Sequence, residues 1–120
     1  MKRVLVVDDD PHVSALAAKW LAAAGYDVQT ADTFSDARTR IDEPLDLLVV
    51  DIRLRDFNGL QLAAHARATQ PAIHIVVVSG WDDPVLTKDA EAFGAVFLPK
   101  PFDETQLVRA ARGYSGGNPA

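Results

Sequence analysis

Five short apolar runs punctuate the chain, and each is followed by apolar residues at helical intervals. The runs are Arg3 to Asp8, Tyr26 to Thr30, Leu47 to Asp51, Ile73 to Ser79, and Ala95 to Leu98. After the first come Val13, Leu16, Ala17, Trp20, Leu21 and Ala24; after the second, Phe34, Ala37 and Ile41. Leu62, Ala63 and Ala66 repeat the spacing, as do Val85, Leu86, Ala90 and Phe93, and then Leu107, Val108 and Ala111. A strand followed by a helix, five times over, is the arrangement this periodicity predicts. The third and fourth runs are apolar throughout instead of alternating, which suits parallel strands covered on both faces. The expected class is α/β, with a central parallel sheet and helices on both sides.

Boundary residues support the same division. Asp10-Pro11 and Asp83-Pro84 each pair an N-cap acceptor with a proline preset for the first helical position. Thr33 with Asp36, and Asp103 with Gln106, have capping-box spacing, while Gly25, Gly94 and Gly113 stand where helices should stop. From Tyr114 the sequence loses periodicity and turns small and polar. One domain over residues 1–113 is expected, with residues 114–120 as a tail or the start of a linker.

At 120 residues, with 48% apolar and 24% charged positions, the chain has the makeup of one folded unit and not of a disordered segment. It has no cysteine, so disulfides, thiolate metal sites and cysteine nucleophiles are excluded. The formal charge is −5 and no basic stripe occurs, which argues against nucleic-acid binding by this segment. The four apolar residues between Arg3 and Asp8 are too few for a signal-peptide core, and no run reaches membrane-span length. A soluble, cytoplasmic protein without a membrane partner is the expectation. Fourteen of the 17 acids are aspartate, a bias toward caps and short-reach loop sites.

In an open parallel sheet, ligands gather beyond the carboxyl ends of the strands. Four of the five predicted strands lead there to a polar group: Asp8 and Asp9, Asp51, Ser79, and Lys100 with Pro101. Taken singly, each has an ordinary explanation. Asp10, followed by proline, reads as a helix cap and is left out of the site. Asp8 and Asp9 are common turn residues, Ser79 before Gly80 is an ordinary turn, and Lys100 could lie along the surface. Asp51 ends an apolar run at the edge of the core, where an unpartnered acid is costly. If the first and third strands are neighbours, three carboxylates converge and need a counter-charge. Hard oxygen ligands beside a lysine suit Mg²⁺. A cation, a carboxylate nucleophile, a hydroxyl donor and an ammonium are the parts of phosphoryl transfer to an aspartate.

Val-Leu-Val-Val-Asp-Asp-Asp-Pro, Leu-Leu-Val-Val-Asp-Ile-Arg-Leu with Gly59, and Leu-Pro-Lys-Pro-Phe occur in the order of the motifs of a known family. From about Lys2 to Arg112 the chain resembles the receiver domain of bacterial two-component response regulators. The resemblance implies a flavodoxin-like (βα)5 fold with strand order 2-1-3-4-5. It implies that Asp51 accepts a phosphoryl group, that Asp8, Asp9 and Asp51 hold Mg²⁺ with the Arg53 backbone carbonyl, and that Ser79 and Lys100 contact the phosphoryl oxygens. Lys100-Pro101 matches the family's cis bond, and Phe97 its aromatic switch position. The donor implied is a sensor histidine kinase or phosphotransfer protein, and the output a change in the face made by the fourth helix, fifth strand and fifth helix. Dimerisation is left open. The chain would be a phospho-acceptor with self-catalysed transfer and slow autodephosphorylation, not an enzyme with a separate substrate. It departs from the family at Arg55, where proline is usual, at Phe97, which lacks the commoner tyrosine's hydroxyl, and at Trp81, bulky beside the phosphate position.

Two rivals belong to other classes. A Mg²⁺-dependent aspartyl phosphatase of the haloacid dehalogenase type would use Asp8-x-Asp10, but Pro11 and the short chain argue against it. A flavodoxin-like electron carrier needs a phosphate-cradling loop after the first strand, where three aspartates would repel the flavin phosphate.

Overall fold

The structure, a computed structural model, describes residues 1–54, 58–80 and 84–113. Its elements in chain order are β1 (Arg3–Val7), α1 (Pro11–Ala23), β2 (Asp27–Ala31), α2 (Phe34–Ile41), β3 (Leu47–Asp51), α3 (Gly59–Thr69), β4 (His74–Ser79), α4 (Pro84–Ala92), β5 (Val96–Pro99) and α5 (Glu104–Ala111). The strands form one parallel sheet in the order β2-β1-β3-β4-β5.

Strand alternation divides the core into two layers. Leu5, Val7, Leu48, Val50, Ile75 and Val77 face α2, α3 and α4, where Ala37, Ile41, Leu62, Ala63, Ala66 and Ala90 are buried against them. Val4, Val6, Leu47, Val49, Val76 and Val78 face the opposite way, onto Ala17 and Leu21 of α1 and Leu107, Ala110 and Ala111 of α5. A strand buried on both faces needs apolar residues at consecutive positions, which is why β3 and β4 read as unbroken runs.

The predicted strand limits shift by about one residue, for a reason visible in the backbone. Tyr26, Ile73 and Ala95 were expected to open strands, yet their N–H groups donate to Leu21, Gln70 and Ala90 of the preceding helix or turn. An amide committed to closing a helix is not available to the sheet ladder. Asp8 falls just past β1, although its N–H still reaches the Ala31 carbonyl at 3.2 Å.

Helix ends follow the expected chemistry. Asp10 caps α1, its Oδ1 accepting from the N–H of His12 at 2.9 Å and of Val13 at 3.4 Å. Asp103 and Gln106 form a reciprocal capping box on α5, and Thr33 supplies the forward bond to Asp36 N–H on α2. Gly25, Gly94 and Gly113 all have positive φ, the left-handed geometry that terminates helices. Two helix faces differ from expectation. Val13, Leu16 and Trp20 of α1 are half-buried and line a cavity of about 410 Å³ with Pro101 and Phe102, while Val85 of α4 is 66% exposed. Asp83, Arg55, Trp81 and residues 114–120 lie outside the described residues. Among those described, no helix is long and apolar enough to cross a membrane.

Candidate functional site

The register of the sheet brings the acids together. Val7 pairs with Val50, so Asp8 and Asp51 are next-door neighbours at the carboxyl edge of adjacent strands. Asp51 pairs with Val78 and Ser79 with Pro99, which sets Ser79 and Lys100 along the same edge. The Lys100 N–H donates to the Ser79 carbonyl at 2.8 Å, and the Lys100–Pro101 peptide bond is cis.

Asp8 and Asp51 are buried, at 4% and 7% exposure, and each spends its two oxygens in the same way. Oδ1 of Asp8 accepts from Asp10 N–H at 2.9 Å, and Oδ1 of Asp51 from Arg53 N–H at 3.1 Å. Both Oδ2 atoms lie 3.0 Å from Lys100 Nζ, so one ammonium bridges the two carboxylates. Asp9, half-buried, completes the cluster: one ligand oxygen from each of Asp8, Asp9 and Asp51 lies within 4.8 Å of the others.

The environment acts on Asp51 and Lys100 in distinct ways. Burial pushes the Asp51 carboxyl up from its ordinary value; the Lys100 hydrogen bond and charge and the Arg53 amide pull it down, and Asp8 adds upward repulsion. The net direction is upward. For Lys100, burial opposes the charged form, but hydrogen bonds to Asp8 and Asp51 and their negative charge outweigh it and raise its value. Burial of an acid thus dominates at 51, whereas pairing dominates at 100.

The donor set fits a hard divalent cation. Three carboxylates against one ammonium leave a formal surplus of two negative charges within a few ångströms, and all the available ligand atoms are oxygens. Asp10, which the phosphatase reading needs, turns its carboxylate to the α1 amides instead.

The other expected positions fall around this centre. Ser79 is fully buried at the end of β4. Arg53 follows Asp51 closely, exposed, in an isolated bridge with Asn58. Phe97 on β5 is half-buried and packs against the α2–α3–α4 core layer. Asn58 went unnoticed in the sequence, whereas Gly59 belongs to the second of its motifs. Asn58 caps α3 through Leu60 N–H at 2.8 Å, and Gly59 N–H donates to Ile52 O at 2.6 Å, which draws the start of α3 against Asp51. An Asn directly before a helical pattern is an N-cap signal that could have disclosed Asn58.

Comparisons with known proteins agree with this geometry. Residues 4–112 match the response regulator receiver domain. The response regulator receiver protein CpdR of Brucella abortus is 34% identical over 110 residues, which are 90% of this chain and 92% of CpdR. Against transcriptional regulators the chain spans far less of the relative, 22% of NtrC from Azospirillum brasilense and 50% of DcuR from Escherichia coli. A CheY-like receiver domain from Methanospirillum hungatei superposes with a TM-score of 0.88 at 27% identity, covering 93% of this chain and 91% of that one. A response regulator from Burkholderia pseudomallei, solved with a phosphorylated aspartic acid, calcium ion and citrate, gives a TM-score of 0.87 at 28% identity over 94% of this chain and 68% of its own. The fold, the acidic edge of the sheet and the sequence match converge: the chain belongs to the response regulator receiver domain family, the phosphorylation-dependent signalling switches of two-component systems.

Proposed function

We propose that the switch is set by transfer of a phosphoryl group to Asp51 from a phosphohistidine, carried by a sensor histidine kinase or a phosphotransfer protein. The observation that supports this most is the position of Lys100 Nζ, 3.0 Å from both Asp51 and Asp8. The ammonium faces the acid to be loaded and can follow the new charge without a large rearrangement.

In the transfer, a carboxylate oxygen of Asp51 bonds to phosphorus while the bond from phosphorus to the donor imidazole nitrogen breaks. The electron pair stays on the imidazole, which takes a proton from solvent. Lys100 and the Arg53 amide favour the ionised Asp51 that attack requires, against the effect of burial. As charge builds on the phosphoryl oxygens, Lys100 turns from carboxylate to phosphoryl, and the Ser79 hydroxyl donates to a second oxygen. Mg²⁺, held by Asp8, Asp9, Asp51 and the Arg53 carbonyl, would supply the divalent charge that neutralises those oxygens. The phosphorylated aspartic acid and calcium ion of the Burkholderia pseudomallei relative support an acceptor carboxylate beside a divalent-cation site.

The product replaces the single charge of the Asp51 carboxylate with the roughly two of an aspartyl phosphate, a net gain of about one negative charge beside Asp8 and Asp9. New contacts made only in the loaded state, at Ser79 and Lys100, bias a two-state equilibrium. Phe97, without a hydroxyl, takes part sterically by rotating inward, and the face made by α4, β5 and α5 changes for its partner. Self-association is one use of such a face. A cytoplasmic location belongs to the same reading.

The test is incubation of the purified chain with acetyl phosphate and Mg²⁺, followed by intact mass. One added phosphoryl group is expected, lost with chelator and absent from Asp51→Asn. An unmodified wild type, or a modified Asp51→Asn, contradicts the reading.

A further inference from the structure

The last turn of α3 holds both neighbouring helices at the edge of the fold opposite the acidic site. Arg67 Nε donates to the Phe93 carbonyl at 2.8 Å, and its Nη1 donates to the carbonyls of Pro71 at 2.9 Å and Ile73 at 2.6 Å. Gln70, three residues on, donates through Nε2 to Ile41 O at 2.7 Å and Glu43 O at 2.9 Å, and its Oε1 accepts from Leu45 N–H at 2.8 Å. Gln70 thus fastens the end of α2, and Arg67 the end of α4.

The Arg67 tie is the more consequential, because of what lies on either side of it. Phe93 is the residue directly after α4. Gly94, at φ +71°, turns the chain against the guanidinium and leads through β5 to Lys100. A partly buried cation bonding three carbonyls is among the stronger neutral-acceptor ties available to a protein. Among the described side chains of α4, Ala90 near the tied end is fully buried and Val85 is 66% exposed. The helix is fastened at its carboxyl end.

We propose that Arg67 is a fixed pivot between the moving and the chemical parts of the switch. It holds the carboxyl end of α4 while the amino end, beside the acidic site, shifts on loading. It also keeps that shift from displacing β5 and Lys100. The proposal rests on the reading of Asp51 as the loaded acid and of α4 as part of the output face.

Amide hydrogen exchange, resolved by NMR on the full chain with Mg²⁺ alone and with Mg²⁺ plus beryllofluoride, tests it. In the wild type, exchange at residues 85–89 should change roughly fivefold or more, and at residues 93–96 less than about twofold. In Arg67→Gln the change should spread to residues 93–96, and in Arg67→Lys, which keeps the charge but loses the fork, it should spread in part. Equal changes at both ends of α4 in the wild type overturn the pivot, whether or not Arg67→Gln folds. So does an Arg67→Gln pattern identical to wild type. These outcomes leave the acceptor reading intact. A wild type that shows no beryllofluoride-dependent change anywhere overturns both.

Discussion

Gly59 lies so close to Asp51 that a Cβ at position 59 would overlap the Asp51 carbonyl group. The requirement at this glycine is space, since its own N–H bonds Ile52 O and its Cα lies against Asp51. Backbone on one side and the buried Val50 side chain on the other leave little room to yield. Gly59→Ala should therefore destabilise the chain by about 1–3 kcal/mol, despite alanine's better helix propensity. Urea unfolding measures this, and phosphorylation by acetyl phosphate should slow in parallel.

Lys100 separates two buried carboxylates that would otherwise face one another. Its side chain is 23% exposed, so solvent screens part of the interaction. Lys100→Gln should cost about 1–3 kcal/mol, less than a fully buried broken pair. Adding Asp51→Asn to that variant should recover part of the loss, because the second negative charge is gone. A double-mutant cycle in urea shows whether the two effects couple.

The pH dependence follows from the directions at these two groups. A folded value above the unfolded one means that native Asp51 holds its proton more tightly. Its ionisation therefore opposes folding progressively as pH rises from 3.8 through the folded value. Lys100, raised above 10.5, gives a contribution fully present below 10.5 and lost as pH rises through its folded value. Without divalent cations, Asp51→Asn should gain on wild type as pH rises, by about 0.5–2 kcal/mol at neutrality. Wild type gaining on the variant over the same range would reverse the sign.

A cation that binds only the folded cluster must stabilise it. Mg²⁺ at about 100 times its dissociation constant should add about 2.7 kcal/mol, seen as a higher melting temperature. Chelator should remove the gain, and Asp8→Asn or Asp9→Asn should reduce it. Asp10→Asn, at a residue that caps α1 by its side chain, should retain it.

Much of this architecture is legible in the sequence because the physical signals are local. Leu47 to Val50 had to be buried on two faces, and Asp10 with Pro11 had to begin a helix. The site was legible for a related reason: strand carboxyl ends carry the polar groups, and the sheet register joins them. What was not legible depends on contacts across the fold. The half-exposed face of α1 follows from how α5 and the Pro101–Phe102 segment pack beside it. The roles of Arg67 and Gln70 exist only once the ends of α2 and α4 are placed against α3. The ladder begins one residue later than expected at three strands because helix ends had already claimed those amides.

The central claim is that Asp51, among clustered acids, is the one that carries the phosphoryl group. Borohydride reduction of the protein after treatment with acetyl phosphate and Mg²⁺ converts an aspartyl phosphate to homoserine, which peptide mapping then locates. Homoserine at position 51 alone is the predicted result. Homoserine at position 8 or 9, or at none of the three, would contradict it.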